Sequence, residues 1–218
     1  SLIEAQKMGA WSDIARRIAH EIKNPLTPIR LGSERLLNRI SNNKKIDKNI
    51  FEQSLKMITR QVDDIHHLVD EFSSFARMPS PKLKLINVSR VITDYIKPLI
   101  SSYENVTISI NNVIENAFIM ADEKQIRQAC GNLVKNSYEN ITLNYIKDGK
   151  ISIIFGIKDD LATVTINDNG TGIDNSIISK ITEPYYTTKV GNSGLGLAIT
   201  KKIIDDHNGT MLIKSIKG

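Results

Sequence analysis

Residues 11–36 read WSDIARRIAHEIKNPLTPIRLGSERL. The apolar or small positions in this stretch are Trp11, Ala15, Ile18, Ile22, Pro25, Ile29, Gly32 and Leu36, spaced alternately by four and three. That spacing is a heptad seam, the mark of a helix that packs along one side. Pro25 sits inside the seam and removes one backbone donor, so a bend or local loosening is expected there. The polar run Ser41–Asn49 interrupts the pattern. Phe51, Leu55, Ile58, Val62, Ile65, Val69, Phe72 and Ala76 then resume the same alternation. Ile14, Leu26, Leu37, Ile40, Leu68 and Phe75 widen both stripes beyond a two-stranded seam. Two helices joined by a short turn form a hairpin, and one hairpin cannot cover both wide stripes. Two hairpins can, as a four-helix bundle. Residues 1–77 therefore predict a homodimer; the alternative is a hairpin packed on its own C-terminal domain.

Downstream, Met78-Pro79-Ser80-Pro81 ends the second helix and opens a linker over 78–88. Residues 89–218 change texture. An amphipathic helix is expected near 89–102, and strands at 106–110 and 117–120. Asp122 is placed as the N-cap of a helix reaching about Asn140. Strands at 150–157 and 162–167 would be joined by an Asp159-Asp160 turn. A loop rich in Gly, Asn and Thr fills 168–193, followed by a helix near 195–207 and a strand near 210–215. The expected class is α+β: a helical hairpin, then an α/β sandwich of one sheet layer and one helix layer.

Composition narrows the function. The 218 residues are 40% apolar and 24% charged, which excludes disorder by composition. Net charge is +5, with 13 Lys+Arg against 10 Asp+Glu in residues 1–77 and 16 against 14 in the remainder. So thin an excess, with no basic block beyond Lys44-Lys45, argues against a nucleic-acid partner. Cys130 is the only cysteine, which excludes a disulfide framework and a cysteine-rich zinc site and points to a reducing, cytoplasmic setting. No apolar run approaches the ~20 residues of a membrane-spanning helix. SLIEAQKMGAWSD has no signal-peptide core.

His20 lies midway between Ile18 and Ile22. Two residues turn about 200° around a helix, so the imidazole points away from the packed stripe. Glu21 is its neighbour, and Asn24 shares its face one turn on. An exposed imidazole beside a carboxylate can act as a nucleophile. The plain alternative is a surface histidine without a role. Zinc binding of the HExxH kind fails because the fifth position is Asn24.

The run AHEIKNPLTPIR, Ala19–Arg30, resembles the phosphoacceptor box H-E-x-x-N-P-L-T of dimeric sensor histidine kinases. The resemblance implies that His20 is the phosphorylated residue and Glu21 the adjacent acid/base. It implies that Asn24 helps place a hydrolytic water in members that are also phosphatases. Four further segments resemble the ATP-binding domain of the same family, in its order. Asn132 and Asn136 of NLVKN share a helix face, and Asn136 is the implied Mg²⁺ ligand, neutral oxygens suiting a hard cation already balanced by phosphates. In DNGTGI, Asp168 would accept from the adenine amino group, with Gly170 and Gly172 allowing close backbone approach. EPYYTTK resembles the border of a mobile lid, where Thr187, Thr188 and Lys189 would contact phosphates or the bundle. Tyr185 and Tyr186 there could equally pack. SGLGLAI offers Ser193, Gly194, Leu195, Gly196 and Leu197 at a helix N-terminus suited to phosphate. It matches neither a Rossmann fingerprint nor a P-loop.

The likeness runs over residues 19–199 and is greatest to NtrY-type nitrogen-regulation kinases, on WSDIARRIAHEIKNPLTPIRL and RQVDDIHHLVDEFSSFARMP. It implies Mg·ATP bound in the C-terminal domain, which swings on the linker to phosphorylate His20. The phosphoryl group would then pass to an aspartate of an NtrX-type response regulator docked near Thr27, Arg30, Leu31 and Glu34. Asn192 stands where the family usually carries Gly, and Ser137 where Ala is common. Gly218 precedes the family's final strand, so a fragment is expected, with sensory and inner-membrane segments elsewhere in the full protein. The rival readings are a degenerate dimeric scaffold supported by Asn192, a phosphatase using Asn24, another ATPase or serine kinase of the wider superfamily, and a nucleic-acid-binding coiled coil.

Overall fold

The computed structural model describes residues 2–42, 48–112, 117–189 and 193–217. Asn192 lies outside them. The backbone divides into two compact units: Ser1–Met78 with Pro184–Leu195, and Pro79–Glu183 with Gly196–Gly218.

The first unit is built on α1 (Leu2–Ser41) and α2 (Lys48–Ala76), which pack on one another as a hairpin. Helix α1 continues through both Pro25 and Pro28. Leu36 and Leu68 are buried, and Gly32 is covered by Met57 and Ile58 of α2. Much of the predicted stripe is not covered within the chain. Leu26, Leu37, Ile40, Phe51, Leu55, Val62 and Val69 are each at least 40% exposed.

The second unit begins with a feature that the sequence reading leaves inside the linker. Lys84–Asn87 forms β1, paired antiparallel with β3 (Phe118–Ala121) in the register Lys84↔Ala121 to Asn87↔Phe118. Asn87 then caps α3 (Val88–Ile100), its Oδ1 accepting from Arg90 N at 3.0 Å. A second sheet has the order β2-β4-β5, from Val106–Asn112, Gly149–Lys158 and Leu161–Asp168. Strands β2 and β4 are parallel, β4 and β5 antiparallel. The β4–β5 turn is Asp159-Asp160 as expected, both at positive φ (52° and 61°), the geometry of a tight hairpin. Ile151, Ile153 and Phe155 alternate inward along β4 and are fully buried. Each such side chain contributes about 1.5–3 kcal/mol by leaving water. Ile153 and Phe155 meet Ile92 and Ile96 of α3, and Ile126, Cys130 and Val134 of α4 (Glu123–Leu143), in one core. Helix α5 (Gly196–Asp206) packs along α4.

Asp122 is the N-cap of α4, its Oδ1 accepting from Lys124 N at 3.0 Å and Gln125 N at 3.2 Å. Its Oδ2 accepts from Lys82 N at 2.9 Å, and Gln125 Nε2 donates to Pro79 O, so residues 79–82 are stitched to the start of α4. The strand expected at 210–215 does not form. Residues 215–217 are held by side chains instead of a ladder: Ser215 Oγ accepts from Ile173 N at 2.7 Å, and Lys217 pairs with Asp174 at 3.1 Å.

Candidate functional site

Within the hairpin unit, His20 is exposed on α1 while Ile18 and Ile22 on either side are half-buried, as the seam argument requires. Glu21 is half-buried and Asn24 exposed. The prolines give this turn a second property. Pro25 and Pro28 carry no N–H, so the carbonyls of Glu21 and Asn24 have no helical donor four residues on. Thr27 Oγ1 donates to Lys23 O at 3.0 Å in the same turn. About two to four turns beyond His20, Thr27, Arg30, Leu31 and Glu34 are all exposed, with Arg30 and Glu34 paired at 3.7 Å.

The same unit includes the segment with Thr187, Thr188, Lys189, Ser193, Gly194 and Leu195. Tyr185 N donates to Gly194 O at 3.1 Å and closes the base of the loop. Thr187 Oγ1 accepts from Lys189 N at 3.0 Å, and Ser193 Oγ accepts from Leu195 N at 3.2 Å. Thr187 and Thr188 are exposed and Lys189 half-buried.

In the second unit, α4 and α5 bring Asn132, Asn136 and Gly196 together. Asn132 Nδ2 donates to Gly196 O at 3.2 Å, and Thr200 Oγ1 donates to the same carbonyl at 2.9 Å. A Cβ on Gly196 would lie 3.9 Å from both Asn132 Cγ and Asn136 Nδ2. Leu197 follows, half-buried, on the first turn of α5. The pair of amide side chains beside a helix start is a donor set of neutral oxygens, which fits a hard cation arriving with phosphates. No group of three or more His, Cys, Asp or Glu that could hold a metal occurs among the described residues.

Asp168 ends β5 and opens a loop folded back on α4. Its Oδ2 accepts from Ser137 Oγ at 2.8 Å and its Oδ1 from Gly170 N at 2.9 Å. Asn140 Oδ1 accepts from Thr171 Oγ1 at 3.1 Å, and the Asn140 amide fills the space a side chain at Gly170 would need. Gly172 has φ +73°, and a Cβ there would strike the Ile216 carbonyl, so only glycine fits. Sequence reading missed the Ser137 and Asn140 contacts. The signal for Asn140 was present, because Asn132, Asn136, Asn140 and Asn144 recur every fourth residue along one helix face. The contact of Ser137 with Asp168, 31 residues apart, has no local signature.

At the far end of the same helix pair, His207 ties α5 to α4. Its Nε2 accepts from Asp122 N at 2.9 Å, and Nδ1 lies 2.7 Å from Ile203 O, so the neutral ring donates there. The Asp122 carboxyl is held below its ordinary range, chiefly by the Lys82 N–H, then by those of Gln125 and Lys124. Burial pushes the Cys130 thiol up to about 12, so it is a packing residue rather than a nucleophile.

The two units thus present a solvent-facing histidine on a half-exposed helical hairpin and, on an α/β unit, an oriented Asp and a Gly-bounded helix start. The family model described as His Kinase A (phospho-acceptor) domain matches residues 10–81. That described as Histidine kinase-, DNA gyrase B-, and HSP90-like ATPase matches residues 121–218, which makes ATP its nucleotide. The chain belongs to the sensor histidine kinase family.

It is 41% identical over 210 residues to an NtrY-like sensor histidine kinase of Rickettsia typhi, covering 96% of this chain and 35% of that protein. It is 39% identical over 211 residues to the nitrogen regulation protein NtrY of Azorhizobium caulinodans, covering 95% and 27%. The chain thus spans about a third or less of the length of these relatives. Among solved structures, histidine kinase ThkA in complex with response regulator protein TrrA superposes with a TM-score of 0.71 at 24% identity, over 94% of this chain and 57% of that one. An isolated catalytic domain of ThkA gives 0.51 at 28% identity, over 57% and 82%. Among the described residues no helix is long and apolar enough to cross a membrane.

Proposed function

We propose that this chain is the kinase core of an NtrY-type sensor, which phosphorylates itself on His20 with ATP and passes the phosphoryl group to an aspartate of a response regulator. The observation that carries this reading is the exposed His20, with Glu21 and Asn24 beside it, on a phosphoacceptor hairpin whose chain also holds an ATPase domain.

In the reaction, a ring nitrogen of His20 attacks the γ-phosphorus with its lone pair. The bond to the β,γ-bridging oxygen breaks, and ADP leaves with that electron pair. The proton on the other ring nitrogen passes to the Glu21 carboxylate, which restores a neutral ring. Asp168 accepts from the adenine amino group. The backbone N–H groups opening α5 face the phosphates. Thr187, Thr188, Lys189, Ser193, Gly194 and Leu195 serve as phosphate contacts, the first three alternatively as contacts with the bundle. Asn136 would hold Mg²⁺, with Asn132 fixing the start of α5. When bound, the metal neutralises charge on the phosphate oxygens.

The half-exposed stripes of α1 and α2 support a homodimer in which two hairpins form a four-helix bundle. Thr27, Arg30, Leu31 and Glu34 form the docking face for an NtrX-like regulator, below the phosphorylated ring. Residues 1–77 act as the dimerisation and phosphotransfer domain, 78–88 as the linker and 89–218 as the catalytic domain. In the full-length protein the core hangs on the cytoplasmic side of an inner-membrane anchor.

Incubation with γ-labelled ATP and Mg²⁺ tests the proposal. The expected product carries an acid-labile, base-stable label that is lost in His20→Gln. Nucleotide binding without any such label would overturn it.

A further inference from the structure

We infer that Ser137 is a positioning residue for base recognition: its hydroxyl fixes the Asp168 carboxylate in the one orientation that selects an exocyclic amino group on the purine. This rests on the reading that the second unit binds ATP through Asp168.

Asp168 is exposed at the end of a strand, and a carboxylate so placed turns freely unless something holds it. Two donors from different elements hold this one. Ser137 on α4, only 8% exposed, donates to Oδ2 at 2.8 Å, and Gly170 N in the loop donates to Oδ1 at 2.9 Å. A serine hydroxyl has one proton, and here it is committed to the carboxylate. An ionised carboxylate accepts at about four lone-pair sites. With one donor on each oxygen, its plane is set and the remaining lone pairs face outward. Those lone pairs welcome a 6-amino donor and repel a 6-oxo acceptor, so adenine is taken and guanine refused. Asn140 holds the loop independently, through Thr171 and over Gly170. Loss of the Ser137 hydroxyl therefore leaves the carboxylate on the single Gly170 N–H, about which its plane can turn, without freeing the loop.

The test is a binding cycle between a side chain and a ligand group. ADP and its analogue with hydrogen in place of the 6-amino group are titrated calorimetrically against the wild-type chain, Ser137→Ala and Ser137→Cys. Cysteine keeps the volume and is only a weak donor. A charge-assisted hydrogen bond predicts that both variants bind ADP about tenfold more weakly. Their affinity for the analogue should stay within about twofold of wild type, because the carboxylate's orientation matters only to a ligand that donates to it. Equal weakening toward both ligands would reduce Ser137 to a packing residue and overturn the inference. So would unchanged ADP affinity in either folded variant. A wild-type chain that binds no ADP is a different result, and it would overturn the nucleotide reading itself.

Discussion

The two units solve the burial problem in opposite ways. In the α/β unit, β4 turns Ile151, Ile153 and Phe155 fully inward, and α3 and α4 close over them. These positions are covered within one chain. The hairpin has two long helices, but among their described residues few apolar side chains are buried, and Leu55, Val62 and Val69 remain 40–45% exposed along the stripe their own spacing defines. A helix pair with so few buried apolar groups among its described residues draws stability from whatever covers the stripe. If the hairpin is dimeric as proposed, the stability of one unit is intrinsic, while that of the other depends on protein concentration.

The largest expected effect separates them most sharply. Leu55→Asp puts a charge into the stripe twice in each dimer. Burial of a leucine is worth about 1.5–3 kcal/mol, so removing two costs the association at least ~3 kcal/mol, more than a hundredfold in the dimer constant. Sedimentation should show a monomer at concentrations where the wild type is a dimer, and ADP binding by the α/β unit should be unchanged. A dimer that survives Leu55→Asp would show that the stripe is covered by something other than a second hairpin.

An intermediate effect lies in the α/β unit and does not depend on concentration. Asp122 caps α4 and also ties down Lys82 N, so Asp122→Ala is expected to cost about 1–2 kcal/mol of unfolding free energy. The pH dependence has a definite sign. Because the folded carboxyl titrates below its ordinary value, its contribution is fully present above that ordinary value, near pH 4. The contribution fades as pH falls through the lowered folded value. Denaturant melts of wild type and Asp122→Ala should therefore differ at pH 7 and converge in acid. Melts that stay parallel down to pH 2 would mean the carboxylate is not what stabilises this corner.

That cap was legible in the sequence, as were the hairpin, the Asp159-Asp160 turn and the exposure of His20. All are local facts: a periodicity, a side chain beside its own helix start, an angle around an axis. What escaped was set by partners distant in the chain. Strand β1 has four residues, of which only Ile86 is buried, and its partner β3 lies some thirty residues on. Nothing in Lys84–Asn87 marks it apart from a linker. The converse error occurs at 210–215, where alternating Met211, Ile213 and Ser215 read as a strand but find no ladder partner among the described residues. The candidate nucleotide site divides in the same manner. Asn132, Asn136 and Asp168 are motif positions, whereas Ser137 becomes meaningful only once β5 brings Asp168 against α4.

The smallest stability effect is expected at Arg30. Its guanidinium is exposed and lies 3.7 Å from Glu34 in an i,i+4 pair, an arrangement worth a few tenths of a kcal/mol at most once solvent and salt screen it. Arg30→Ala should leave the hairpin's melting and its dimer constant unchanged within error. The same change removes a cation from the face about two to four turns beyond His20. If that face receives the regulator, phosphotransfer should slow while autophosphorylation on His20 keeps its rate. Raising the salt should slow the wild type toward the variant, because rim charges act mainly on encounter. A side chain that contributes little to folding can then be scored by transfer alone. Equal transfer rates at low salt would place the docking surface on another part of the bundle.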